Sequence, residues 1–364
     1  MSNVSRSKEP LIRISKRAEL SKKQIVFLRF AALLLALAAG GIFILCLGYQ
    51  PFAVYGTILS GSFRSAMAIQ AVVKIMISLL IASLAVTLAF KMQFWNIGAE
   101  GQIIMGAVFS SFFALFCTDW PRVVLIPVML VAGMIGGGLW GLIPAFFKCR
   151  YGTNETLFTL MLNYIALYLI SFLRDGPWRD PANPGFAKIA TFDKNAQLPK
   201  LFGVHIGWVF ALVLLVFVWG YLKYTKHGYE ISVVGASEAT ARYGGMNVQK
   251  IILRTMFLSG ALAGIAGMAQ ATGSDATLAA GVAGGVGFTA IIVAWLGNLN
   301  PVSIFVISAL FSILEKGSSV VQSNYGLSTD CADVLQGIIL FFILGCEFFV
   351  RYKFVIRGKE SAKV

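Results

Sequence analysis

The sequence is poor in the residues that soluble chemistry uses. It has only two histidines, His205 and His227. They stand alone, so no histidine-based site can be built from them. The five cysteines, Cys46, Cys117, Cys149, Cys331 and Cys346, are isolated and odd in number, which leaves no disulfide framework and no metal-ligand spacing. Charged residues are 13% of the chain, where a soluble domain carries about 25%. Acidic side chains are scarce within the apolar runs. Glu100, Glu155, Glu315, Asp330, Asp333 and Glu347 fall near span ends or breaks, which gives little support to a carrier driven by protons or sodium. There is no GxxxxGK[ST] phosphate loop, so ATP is not bound in that way. No Ser/His/Asp or Cys/His set suggests covalent catalysis. These absences point to a chain that is not an enzyme, holds no cofactor or metal of its own, and depends on an external motor.

Apolar residues are abundant, at 58% with a mean hydropathy of +0.79. Sequestering that much apolar surface requires lipid, at about 20 residues per crossing helix. Ten candidate spans follow, at roughly 25–48, 66–90, 101–118, 123–147, 155–173, 206–224, 251–272, 285–297, 300–320 and 333–350. The 285–297 run is too short for a regular crossing, and 300–320 carries Glu315 and Lys316. Backbone hydrogen bonding excludes an open sheet in lipid, and long apolar runs argue against a barrel. The expected fold is an all-α polytopic bundle of about ten transmembrane helices over 25–350, with basic tails at 1–24 and 351–364.

Basic residues flanking spans stay in the cytoplasm. Both tails are basic, which places both termini inside and requires an even number of spans. Lys148, Arg150 and the loop 225–250, with Lys226, Arg242 and Lys250, then fall inside, and the segment 174–205 falls outside. Lys188, Lys194 and Lys200 in that segment run against the rule, although long segments cross regardless of charge. The net charge of +14 is then topology and contact with anionic lipid, not a nucleic-acid footprint. Leu11, Ile12 and Ile14 alternate with basic residues in the first tail, a pattern open to a surface helix or to disorder.

Three polar stretches interrupt this apolar chain. In GASEATARYGGMN (235–247), Ser237 is a good N-cap. Glu238 and Arg242 share a helix face, and Gly244 and Gly245 supply a left-handed stop. A capped helix of about two turns results, either a docking element or an ordinary loop. In KMQFWNIGAEGQIIMGA (91–107), the polar groups of Asn96, Glu100 and Gln102 need a cavity or a protein lining; a plain turn capped by Asn96 is the alternative. In GTNETLFTLMLNY (152–164), Thr153 or Asn154 caps a helix and Glu155 complements its dipole. Asn163 then lies mid-span, to touch substrate or to bond a neighbouring helix. The stripes Gly133, Gly137, Gly141 and Gly260, Gly264, Gly267 are read as helix packing.

NIGAEGQ, NETLFTLMLNY, GASEATARYGGMN, LSGALAGIAG (258–267) and GFTAIIVAWLG (287–297) occur in that order. Together they resemble the permease subunits of bacterial ABC importers of the nucleoside and simple-sugar branch, related to ribose and branched-chain amino-acid permeases. The resemblance runs from about residue 50 to 345. Ser237, Thr240 and Lys74 depart from the family pattern, which has Asn, Ala and an apolar residue there.

The resemblance implies a ten-helix permease in the cytoplasmic membrane that works beside a second, similar but non-identical permease. It also implies a cytoplasmic ABC ATPase that binds the ATP and an extracytoplasmic substrate-binding lipoprotein. Nucleosides are the expected substrates, with simple sugars or branched-chain amino acids as the alternative. Ser237, Glu238, Arg242, Tyr243, Gly244 and Gly245 would form the coupling helix that docks on the ATPase. Spans two to five and seven to ten enter from opposite sides and are candidates for an inverted repeat, with the breaks at 93–102 and 285–297 in matched places. The expected substrate path takes in Trp95, Asn96, Glu100, Gln102, Asn163, Tyr164, Phe288 and Trp295. Its aromatic members would offer stacking surface to a base.

Overall fold

Long apolar runs with few helix breakers can satisfy their backbones in lipid only as helices, and the computed structural model is built from them. It describes residues 12–16, 21–183, 185, 187–328 and 330–356. The chain divides into two compact units, residues 1–57 with 325–364, and residues 58–324.

In the first unit a strand, β1 (Ile12–Lys16), precedes α1 (Lys22–Cys46) and the start of α2 (Pro51–Phe63). Ser21 and Gln24 form a capping box at the start of α1. Gly48, at φ 86°, ends that stretch in a left-handed turn, and Pro51 opens α2, a first position that suits proline. The Phe30–Cys46 part of α1 and α2 are bent by 109°.

The second unit runs through α3 (Ala66–Lys91), α4 (Ala99–Phe116), α5 (Arg122–Tyr151) and α6 (Glu155–Asp175) to a short hairpin of β2 (Lys200–Leu201) and β3 (Val204–His205). It continues with α7 (Gly207–Tyr224), α8 (Lys226–Ala236), α9 (Glu238–Tyr243) and α10 (Val248–Ala269), which ends in a π-helical turn, Gln270–Asp275. Then come α11 (Val286–Leu296) and α12 (Pro301–Tyr325). The first unit closes with α13 (Asp330–Arg351), packed on α1, and β4 (Tyr352–Ile356), antiparallel to β1.

Among the described residues seven helices are long and apolar enough to cross a membrane, or eight if the bent pair is one span. All ten predicted runs are helical, and the chain is a polytopic all-α membrane protein. The 285–297 run is a helix of 11 residues, about 16 Å at 1.5 Å per residue, as short as its sequence implied. Two details differ from the sequence reading. Two helices were not foreseen: α2, and α8 within the 225–250 loop. The first tail contributes a strand, where a helix or disorder was expected, because its alternating Ile12 and Ile14 find a partner in β4. Leu11, Arg6, Lys8, Arg17, Arg357, Lys359 and Lys363 lie outside the described residues.

The core of the second unit is α10, packed between α3, α4 and α5. The glycine stripes explain how closely. A β-carbon at Gly137 would overlap the Gly260 carbonyl, one at Gly264 the Gly133 carbonyl, and one at Gly267 the Ile103 carbonyl. Close backbone approach through small residues is how helices associate without a hydrophobic force between them.

Candidate functional site

The α3 helix stops at Lys91, and residues 92–98 run without helix to the start of α4. Gln93 there takes φ 58°. The polar groups of this first break are satisfied by side chains. Asn96 Nδ2 donates to Gln102 Oε1 at 3.1 Å, and Gln102 Nε2 donates back to Asn96 Oδ1 at 3.2 Å. Asn96 Oδ1 also accepts the Gly98 N–H. Asn163 on α6 accepts from Gly101 N at 2.9 Å and donates to Ile97 O at 2.9 Å. Thr159, one turn earlier, accepts the Ile97 N–H at 3.2 Å. Asn96, Gln102, Asn163 and Thr159 are all buried. Each bond is worth about 1 kcal/mol net, but each buried group left unpaired costs about 1–3 kcal/mol. The network therefore specifies one conformation for the break.

Glu100 lies in the first turn of α4 and is buried. Its Oε1 accepts the Gly285 N–H at 2.8 Å and its Oε2 the Gly287 N–H at 2.7 Å. Those donors open α11, so one carboxylate meets the positive ends of two helices. Gly287 must lack a side chain, since a β-carbon there would overlap the Glu100 backbone. Gly284 and Gly285 take φ 53° and 82° to turn the chain into α11. The two breaks that the sequence matched by symmetry are in contact.

Two of the four predicted aromatic residues, Trp95 and Trp295, come together beside the first break. Trp95 and Trp295 stack at 5.6 Å and 20° between planes, with Phe90 at 5.5 and 5.9 Å from them. Trp95 is 46% exposed, Phe288 42% and Tyr164 54%. Asn163 faces inward and Tyr164, its neighbour on the helix, faces out. Of the eight predicted path residues, Asn96, Glu100, Gln102 and Asn163 form a buried polar junction and Trp95 and Trp295 a stacked pair, while Phe288 and Tyr164 are half-exposed and stand apart from that pair's ring contacts.

The coupling stretch folds locally as its sequence predicts. Ser237 Oγ accepts the Thr240 N–H at 3.2 Å, and Arg242 pairs with Glu238 at 3.6 Å. Tyr243 is almost fully exposed, while Ala241 is buried. Only Gly245 is left-handed, at φ 75°. Gly244 sits at the C-cap with φ −74°, because the turn closes one residue later through Met246 N to Ala241 O.

Sequence reasoning missed how this stretch reaches the break. Gly235 on α8 lies so close to the end of α3 that a β-carbon would overlap the Lys91 carbonyl, and the break starts at Met92. Glu230 on α8 accepts from Arg254 on α10 at 2.8 Å. That bond above all, helped by one from His227 and by the charge of Arg254, holds the Glu230 carboxyl below the usual carboxylate range against the opposing effect of burial. Thr159 was also missed, although its spacing of four from Asn163 was a usable signal. Glu230 and Gly235 carried no such mark.

The model of the family described as the branched-chain amino acid transport system permease component matches residues 71–344. The chain belongs to this family. It is 32% identical to a glucose ABC transporter permease of Haloferax volcanii over 90% of both chains. It is 29% identical to NupP, a guanosine ABC transporter permease of Bacillus subtilis, over 91% of this chain and 95% of that one. NupQ, a second guanosine permease of the same organism, is 26% identical over 66% of this chain and 77% of its own. The resemblance drawn from the motifs therefore holds. The chain is a multi-pass membrane permease subunit of an ABC importer, a transport component.

Proposed function

We propose that this permease translocates nucleosides across the cytoplasmic membrane by alternating access, beside a similar but non-identical permease. A cytoplasmic ABC ATPase supplies the energy, and an extracytoplasmic lipoprotein delivers the substrate. ATP binds on the ATPase, and the permease needs no cofactor of its own. The observation that carries the mechanism is the mechanical chain from α9 through α8 to Lys91, and from the break after it through Glu100 to α11. A push on Glu238, Arg242 and Tyr243 reaches both breaks through packed backbone. Trp95, Phe288, Trp295 and Tyr164 offer faces to a base, and Asn96, Glu100, Gln102 and Asn163 hold the junction's shape. The pairing of β1 with β4 supports termini on one side, read as cytoplasmic from their basic residues. The existence of NupP and NupQ as two guanosine permeases of one organism supports a heteromeric pair.

A second reading, import of a simple sugar, is favoured by the glucose permease relative. Uptake of labelled purine nucleosides, pyrimidine nucleosides and glucose in a deletion strain separates the two. Nucleoside uptake restored by the gene supports the first reading, and glucose uptake alone overturns it in favour of the second.

A further inference from the structure

A lysine inside an apolar span is costly and marks a functional site unless a partner neutralises it. Lys74 is such a residue. It lies about 12 Å along α3 from the helix start, at 1.5 Å per residue, and is half-buried. Among the described residues it makes no hydrogen bond and no ion pair. Gln70, Lys74 and Ser78 follow at intervals of four and share one helix face. Gln70 donates to Phe202 O, in the turn between β2 and β3. Ser78, buried two turns further along α3, donates to Gln270 Oε1 at 2.9 Å. Lys74 thus stands between the hairpin and the end of α10.

At that end α10 widens into its π-helical turn. Such turns occur frequently at functional sites, because they aim side chains that a regular helix would not. Gln270 Nε2 donates to Asp275 Oδ1 at 3.1 Å. Asp275 is exposed, and among the described residues no basic side chain lies within ion-pair distance of it. His205 on β3 reaches Ser274 Oγ at 3.3 Å. Burial first, and then the charge of Lys74, push its imidazole down to about 4. The histidine is therefore neutral near pH 7 and adds no charge beside Lys74. The Ser78–Gln270 and Gln270–Asp275 bonds tie the face of α3 that carries Lys74 to the π-helical turn, so an ammonium, a carboxamide and a carboxylate stand on adjoining elements, and among the described residues the two charges form no ion pair with each other. None of them belongs to the junction around Glu100.

We infer that Lys74, Gln270 and Asp275 receive the vicinal hydroxyl groups of a sugar ring at the end of the bundle that carries the 174–205 segment. A vicinal diol presents two O–H donors and their lone pairs. The carboxylate accepts from the hydroxyls, the ammonium donates to them, and the carboxamide can do either. Ribose in a nucleoside and the ring of a hexose share this feature, so the site serves both readings given above. It rests on the assignment of a sugar-bearing substrate and names the part of that substrate that is held.

The test is uptake by the whole importer, with guanosine compared with its 2′-deoxy and 2′,3′-dideoxy forms. The wild type, Lys74→Met and Asp275→Asn are measured with the same binding protein, whose own selectivity cancels from the comparison. Each variant should lower guanosine uptake efficiency by about tenfold, the worth of one hydrogen bond to a charged group. Uptake of the dideoxy form should be nearly unchanged, so the preference for the diol shrinks. Lys74→Arg and Asp275→Glu should retain most of that preference. Both charge-removing variants keeping the wild-type ratio within about twofold would overturn the site.

If a variant fails to assemble, Lys74→Cys in a background without native cysteines is labelled with a charged thiol reagent. Guanosine should protect it and the dideoxy form should not; equal labelling with both would overturn the proposal. If the wild type takes up glucose and no nucleoside, the nucleoside reading fails. The same ratio is then measured with glucose and its deoxy forms, and the site stands or falls on that ratio alone.

Discussion

The break after α3 and the segment that leads into α11 are built in different ways. The first, residues 92–98, is held by side chains. Asn96, Gln102, Asn163 and Thr159 bond its backbone or one another, and all are buried. The second, residues 276–285, is held mostly by backbone. Ala276 O accepts the Phe192 N–H at 2.8 Å and Val282 N donates to Ala279 O at 3.1 Å, while its only polar side chain, the Thr277 hydroxyl, donates to Ile189 O at 3.1 Å. Its turns rest on Gly281, Gly284 and Gly285, and a β-carbon at Gly281 or Gly285 would meet nothing. A side-chain network fixes geometry, whereas a glycine turn in open space leaves the backbone free to change. The first break is thus the rigid partner and the second the compliant one, and Glu100 is the side chain that joins them.

Breaking that joint should have the largest effect. Gly287→Ala sets a methyl group against the Glu100 backbone and drives the carboxylate from two amide donors. A loss of about 3 kcal/mol or more is expected from the clash and the unpaired groups together. Thermal unfolding of the purified importer and uptake at saturating substrate should both fall sharply. Near-normal values for both would mean that the contact is incidental. Asn163→Leu attacks the rigid break itself. It strips Gly101 N and Ile97 O of their partners, for about 2–4 kcal/mol, and the loss should appear in the same unfolding assay. A cost under about 0.5 kcal/mol would remove the claim that side chains fix this break.

The anchorage of the second break should be the pH-sensitive one. His205 packs on Gly273, just before the break. Its folded value of about 4 lies below the ordinary 6.5. The unfolded chain therefore takes up a proton first as pH falls. This stability is fully present above about pH 6.5 and is lost as pH drops through about 4, for a total of about 3 kcal/mol. Melting temperature measured from pH 7 to 4 should decline in the wild type and stay flatter in His205→Gln. Parallel curves for the two proteins would contradict the assignment. The smallest effect belongs to Gly285→Ala. It meets no atom and costs only the strain of a left-handed residue, about 1 kcal/mol. Its contrast with Gly287→Ala, two residues away, separates a hinge position from a clamp position.

The local part of this architecture was legible in the sequence. The Ser237 cap and the Glu238–Arg242 pair act within one or two turns, and so does the Asn154 cap on Leu157 N. Their residue types and spacing therefore carried the signal. The glycine stripes also read correctly, because small residues at intervals of four have one main use in a bundle. Partners far apart in sequence were not legible. Glu100 could be recognised as polar and confined, but nothing near it announced that its ligands are amides 185 and 187 residues away. The α8 helix was hidden because Gly228 and Gly235 lower its helix propensity. Both glycines are there for close contact, with the α7 carbonyls and with Lys91. The choice of Gly245 over Gly244 for the left-handed turn depends on where one backbone bond closes, and two adjacent glycines do not reveal that.

The central claim is that movement of the coupling helix reaches the breaks. Phe288→Cys, in a protein stripped of native cysteines, places a thiol on the half-exposed first turn of α11, next to Gly287. Its rate of reaction with a small polar reagent is to be measured in the assembled importer without nucleotide, with ATP trapped, and with ADP, and again in Arg242→Glu. The account predicts a rate that changes between nucleotide states with Arg242 present and becomes constant in Arg242→Glu. The same rate in every nucleotide state of the otherwise native importer would contradict it.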